Sequence, residues 1–210
     1  MPVKDPSRQL VIAHYEKPLA WAESIPFPAL CYSKGPETQT TIPQVRLPNV
    51  GLDGYCYLRH IIDRWEDLAD FTLFCHDCPH EHWPNGLTAQ QFLADAQLDY
   101  SGGPALRYCR EWDKDGRLVH WGPYLERFQS GAMKSAKRTM VEWFQRFFDV
   151  DLWRAGQLLY TVGANFVASR RCLQRVGKDI YKRMLDEVSG HREPEEAYYL
   201  ERAWVVMLGR

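Results

Sequence analysis

Apolar residues fall in short runs separated by polar turns, and the spacing inside those runs changes along the chain. Leu10–Ala13 and Ala29–Tyr32 are unbroken apolar runs with polar flanks, the pattern of buried strands. Between them, Pro18 to Trp21 predicts the start of a short helix that closes near Pro26 and Pro28. The stretch from Pro36 to Asn49 carries three prolines and no helical period, so it predicts a loop. Tyr55, Leu58, Ile62 and Trp65 recur at helical intervals, with Asp63, Glu66 and Asp67 left for the outer side. Phe71–Cys75 predicts a third strand, broken off by Pro79 and Pro84. A strand–turn–helix–strand order of this kind points to an α/β fold with a central, mostly parallel sheet flanked by helices.

The pattern is looser in the middle of the chain. Thr88–Leu98 predicts a helix, Ser101-Gly102-Gly103-Pro104 a break, and Asp113-Lys114-Asp115-Gly116 a turn. Leu125 to Phe148 predicts one long helix with Met140, Trp143, Phe144 and Phe147 as its apolar stripe, and Lys134, Lys137 and Arg138 as a solvated face. Leu158 to Ala168 reads as a strand interrupted at Gly163, where a β-bulge and the close approach of a ligand are both consistent with the glycine. Ser169 caps a predicted helix with apolar positions at Leu173, Val176, Ile180, Met184 and Val188, ending near Gly190. Pro194 is placed to start a final helix through Leu208. Without repeats, low-complexity tracts or linkers, residues 1–210 are expected to form one domain, with 1–9 as a flexible tail.

Composition narrows the partners. The 26 Lys+Arg against 27 Asp+Glu leave a formal net charge of −1, which gives no electrostatic reason to expect nucleic acid or an anionic membrane. No apolar run approaches the ~20 residues of a membrane span or the ~7–15 of a signal-peptide core. Six cysteines (31, 56, 75, 78, 109 and 172) are too sparse for a disulfide scaffold, and Cys31, Cys56 and Cys172 sit in apolar runs. A reduced, cytoplasmic protein is the expectation.

Candidate chemistry concentrates in Cys75-His76-Asp77-Cys78-Pro79-His80-Glu81-His82-Trp83. The C-x-x-C spacing with two nearby histidines fits a zinc site or a redox pair. Against both, Cys75 shares strand parity with Phe71 and Leu73 and should point into a core, while the prolines place the motif in a loop. A third reading puts Asp77 just past the carboxyl end of a strand, where a carboxylate can hold Mg²⁺ or Mn²⁺ against phosphates. A loop that merely caps the strand is the plainer alternative. His14-Tyr15-Glu16 and Ser33-Lys34-Gly35 follow the first two strands and could line the same edge. In the last helix, Glu201 has Ala197, Tyr198, Trp204 and Val205 one turn away, and Arg202 has Tyr198, Tyr199, Val205 and Val206. Charges in such surroundings are either a buried ion pair or, for Glu201, a carboxylate aimed into a cleft as a general base.

The ordered segments VIAHYE (11–16), Y-x-K-G (32–35), LPNVG (47–51), Y-L-x-H-I-I-D (57–63), L-F-x-H-D (73–77), VGANFVAS (162–169) and L-E-R-A-W (200–204) carry a resemblance. The chain resembles a little-characterised bacterial and fungal family known as a domain of unknown function. More distantly it is similar to a small algal-virus glycosyltransferase domain of the GT-A type. That resemblance implies a nucleotide-sugar donor and a hydroxyl acceptor, either a glycan or a small metabolite. It implies nucleotide contacts from His14, Tyr15, Glu16, Lys34 and Asn49, and a divalent cation (Mn²⁺ or Mg²⁺) on Asp77 with His76. Glu201 would serve as base in an inverting reaction, with Arg202 beside it. His80, His82, Trp83, Gly163 and Asn165 would meet the substrate, and Trp121 and Trp83 could stack on sugar rings. The sequence departs from the family's Asp-x-Asp motif, reading His76-Asp77-Cys78. A non-catalytic nucleotide- or sugar-binding module and a metal-dependent hydrolase built on residues 75–82 are the competing readings.

Overall fold

A computed structural model describes residues 5–82, 88–97, 99–102 and 106–209. Strands β1 (Arg8–His14), β2 (Ala29–Ser33), β3 (Gln44–Arg46), β4 (Phe71–His76), β5 (Tyr100–Gly102) and β8 (Phe166–Ser169) form one sheet in the order β3-β2-β1-β4-β8-β5. β1 pairs in parallel with β2 and β4, and β2 with β3; β8 runs antiparallel to both β4 and β5, so five of the six strands share one direction. A second, two-stranded antiparallel sheet joins β6 (Leu106–Cys109) to β7 (Leu158–Thr161).

Both faces of the main sheet are covered, which is why its central strands are continuous apolar runs rather than alternating ones. One face packs on α2 (Leu52–Asp63), α5 (Met140–Phe148), α7 (Arg170–Val176), α8 (Lys178–Val188) and α9 (Glu195–Leu208), around Tyr57, Phe74, Phe166 and Trp204. Phe74 and Phe166 are cross-strand partners whose rings stack with centroids 5.0 Å apart. The other face, with Leu10, Ile12, Leu73 and Cys75, packs on α1 (Ala20–Glu23) and α3 (Ala89–Ala94). Between β6 and α5 lies α4 (Pro123–Gln129), and α6 (Leu152–Ala155) precedes β7. Among the described residues no helix is long and apolar enough to cross a membrane, and all six cysteines are free.

Several boundaries differ from expectation for identifiable reasons. β1 starts at Arg8, inside the expected tail, because Ser7 is clamped to Asp70: its N–H and Oγ–H each donate to Asp70 Oδ2 at 2.8 Å. The expected 36–49 loop contains β3, an edge strand of three residues. Of the break expected at Ser101-Gly102-Gly103-Pro104, the first two residues belong to a short edge strand, Tyr100–Gly102, and the last two lie outside the described residues. The expected helix from Leu125 to Phe148 is two helices, since Gly131 takes φ +76° and Thr139 with Glu142 forms a capping box that starts α5. Gly177, at φ +91°, divides the helix expected after Ser169 into α7 and α8. Ser169 does cap α7, accepting the Cys172 N–H at 3.0 Å. The interruption at Gly163 is not a β-bulge within one strand: Gly163 (φ +75°) and Ala164 (φ +49°) redirect the chain from the small sheet into the main one.

The topology singles out one edge of the sheet. The chain leaves β1 for β2 and β3 on one side, then crosses back to β4 on the other. In open sheets of this kind the crevice beyond the carboxyl ends, where the order reverses, is where ligands sit. Here that point lies between the ends of β1 and β4, at His14 and His76.

Candidate functional site

The loop leaving β1 is held by Asp77. Its Oδ2 accepts the backbone N–H groups of Tyr15 (3.0 Å), Glu16 (3.1 Å) and Lys17 (3.0 Å), and its carbonyl accepts the Trp21 indole N–H at 2.9 Å. Gly35 passes so close that a Cβ there would lie 1.5 Å from the Tyr15 carbonyl oxygen, so only glycine fits. His14 is buried between Ser33 Oγ (3.2 Å) and the Lys17 carbonyl (3.1 Å). Lys34 donates to the carbonyls of Val50, at 3.0 Å, and Leu52. These residues build the edge: both ring nitrogens of His14 are engaged within the protein, and Lys34 spends two of its three N–H donors there. Tyr15 and Glu16 keep exposed side chains, with Arg192 5.5 Å from the Tyr15 ring centroid. Asn49 sits half-buried between β3 and α2, apart from the cleft described next.

Beside this edge lies a cleft of about 370 Å³. His76, Asp77 and Cys78 form one wall, and Gly163 with Glu201 of α9 another. Asp53 on the first turn of α2 and Arg127 on α4 also face it. The two carboxylates that the sequence singles out 124 positions apart, Asp77 and Glu201, thus share one cavity. Asn165 does not line it: both ends of its buried amide engage His76, Oδ1 accepting the backbone N–H and Nδ2 meeting Nε2, each at 3.3 Å. It holds His76 in place. His80 is exposed and off the cleft, whereas Glu81 lines it. Trp83 and the His82 side chain lie outside the described residues.

Glu201 is held at both oxygens. Oε1 accepts the Gly163 N–H at 2.8 Å and Oε2 accepts Arg202 Nη1 at 3.1 Å. Arg202 is itself anchored by Glu111 Oε2 (2.5 Å) and the Tyr198 carbonyl (2.9 Å), and lies 4.9 Å from the Tyr160 ring centroid. The Tyr160 hydroxyl donates to the other Glu111 oxygen at 2.6 Å. Glu201 therefore belongs to an ion-pair network and also lines a cavity, with two lone pairs not claimed by these contacts. Arg202 thereby fixes one oxygen of Glu201. Glu111, which completes the network, was invisible in sequence because no local pattern links residues 91 positions apart.

His76, Asp77 and Cys78 each offer a ligand atom, all within 4.8 Å of one another. Cys75 is not among them; it points into the core beside Leu73, as strand parity requires. The donors are one nitrogen, one oxygen and one sulfur, and Asp77 already spends Oδ2 on three amides. Mg²⁺ and Mn²⁺ favour oxygen shells, so this triad does not fit them; the mixture suits Zn²⁺. Burial, with the charges of Asp77 and Glu81, pushes the Cys78 thiol up to about 12, so it is a neutral thiol at pH 7 unless a metal displaces its proton.

Among curated proteins none matches this chain. The profile of one family, described as a protein of unknown function (DUF3431), covers residues 10–210, and the chain belongs to that family.

Proposed function

We propose that the cleft between the end of β4 and α9 is the active site of a glycosyltransferase that moves a sugar from a nucleotide diphosphate to a hydroxyl acceptor. One observation carries the reading: Glu201 is fixed by Gly163 and Arg202 in the same cavity as the β4 terminus, at the point where strand order reverses. Arg127, which is paired with Glu193 at 2.8 Å and still lines the cleft, is the guanidinium available to the donor's diphosphate. Glu201 takes the proton of the acceptor hydroxyl while that oxygen bonds to the anomeric carbon. The anomeric carbon–oxygen bond breaks at the same time, and the diphosphate leaves with the electron pair. No step is assigned to Mg²⁺ or Mn²⁺, because the donors at residues 76–78 do not fit either ion. A cytoplasmic setting accords with this reading, since nucleotide sugars are water-soluble anions.

The test is a thermal-shift and calorimetric screen against UDP, GDP, CDP and their sugars, with and without Mn²⁺. A ligand confined to the native state raises the midpoint by mass action, so one diphosphonucleoside should stand out. Silence from all of them in folded protein would sink the proposal. Once a donor is known, Glu201→Gln should keep one acceptor contact through its amide oxygen, while Glu111 and the Tyr198 carbonyl still hold Arg202, so the fold should survive while turnover falls by about 10²–10⁴-fold. Unfolding would instead make Glu201 a structural residue.

The N/O/S donor triad favours a second reading, a zinc-dependent hydrolase centred on His76, Asp77 and Cys78. Stoichiometric zinc retained through purification, and lost in His76→Ala, would decide for it.

A further inference from the structure

Glu201 borders two cavities. Beyond the cleft already described lies a second space of about 260 Å³, which shares Tyr124, Val162, Tyr198 and Glu201 with it and adds Trp121, Tyr160 and Arg107. The walls differ in kind. The first is rich in carboxylate, imidazole and thiol groups, whereas the second sets Trp121 and three tyrosines among aliphatic residues and two arginines.

The aromatic wall is built into the backbone. Gly122 takes φ +55° and ψ −137°, a conformation open to glycine, and Pro123 then starts α4. This turn sets the Trp121 and Tyr124 rings edge to face with centroids 5.9 Å apart. Tyr124 packs in turn on Tyr198, 5.5 Å away, and Tyr198 donates its hydroxyl to Glu193 at 2.6 Å. Tyr124 and Tyr198 are therefore fixed, while the Trp121 residue remains 53% exposed at the cavity. A large ring left in water against a preformed cavity loses stabilisation that a ligand face could restore.

We infer that this second cavity is a saccharide subsite in which the apolar face of a pyranose ring stacks on Trp121 and one ring hydroxyl reaches Glu201. The amphipathic lining selects that class: an aromatic platform covers the C–H face, while Arg107 and Glu201 at the margins meet hydroxyl groups. The assignment deepens the transferase proposal by naming its acceptor as a carbohydrate, and it rests on that reading only for the direction of transfer.

The experiment is ligand-observed saturation-transfer NMR on the full chain. The probes are methyl β-glucopyranoside, methyl β-galactopyranoside, methyl α-mannopyranoside and methyl β-glucuronide, with UDP and GDP measured separately. At least one glycoside should give a signal that Trp121→Ala lowers at least fivefold and Trp121→Phe largely keeps. Nucleotide binding and the unfolding midpoint should be unchanged in both variants. Nucleotide binding without any glycoside signal would overturn the saccharide subsite and leave the transferase reading standing. Glycoside binding indifferent to Trp121 would also overturn it. Glycoside binding that depends on Trp121, with no nucleotide bound, would keep the subsite and remove the transferase.

Discussion

Asp77 and Glu201 illustrate how two carboxylates chosen for the same property acquire different tasks. Asp77 turns one oxygen onto three successive amides and thereby shapes the β1 loop; Glu201 is held at two points and left facing cavities on both sides. Asp77→Ala should therefore cost stability directly, about 2–4 kcal/mol for three charge-assisted hydrogen bonds, as read by denaturant unfolding. A second carboxylate on α9 behaves differently again. Burial, together with the nearby Glu187 and Glu195 charges, raises the Glu196 carboxyl above its ordinary 4.5. The folded protein then holds this proton more tightly than the unfolded chain, so its contribution to stability falls as pH rises through the window above 4.5. Glu196→Gln should raise the unfolding midpoint at pH 7 and lose that advantage below pH 4.5. An equal gain at both pH values would contradict this account.

At the scale of elements, α9 carries the site because it is buried on nearly every side and can hold charged groups only where partners meet them. It approaches α2 closely at Gly54, where a Cβ would lie 2.6 Å from Leu200 Cδ2. Gly54→Ala should destabilise by about 1–3 kcal/mol through overpacking and Leu200→Ala by about 2–5 kcal/mol through a cavity. The double variant should cost less than the two together, because the added methyl occupies space the leucine vacates. Strict additivity in a double-mutant cycle would mean that the helices separate rather than repack. The same scale explains the missed helix boundaries. The apolar positions Leu173, Val176, Ile180, Met184 and Val188 keep helical spacing straight across Gly177, so periodicity hides a break that one backbone angle makes. At 125–148 the punctuation was present as Gly131 and the Thr139–Glu142 box, but an apolar stripe from Met140 onward drew the whole stretch into one helix.

At the scale of the molecule, the six-stranded sheet is sealed on both faces, and burial reaches groups that titrate. His60 lies at 0% exposure, its Nδ1 paired with the Tyr32 hydroxyl at 3.2 Å, and desolvation pushes its pKa down to about 3. The unfolded chain takes up this proton near 6.5, whereas the folded one resists until about 3. Stability from this group is thus complete above 6.5 and declines as pH falls toward 3. The unfolding midpoint should drop across that interval, and His60→Gln, which keeps an acceptor for Tyr32, should flatten the decline. An unchanged slope would place the acid sensitivity elsewhere.

The sequence by itself determined the class of fold, the three central strands and the oddity of charges on α9. Each of these follows from local spacing, since an apolar run, a helical period or a charge among aromatics is legible within a few residues. It also marked His76, Asp77 and Glu201 as the residues to watch. Only the tertiary structure decided that Asp77 and Glu201 share a cavity, that His14 and Lys34 brace the edge, and that Glu111 anchors Arg202. Those facts depend on which strand crosses to the far side of β1 and on where Gly163 turns the chain. Contacts between residues tens of positions apart are set by packing and strand register, which leave no periodic trace in the chain.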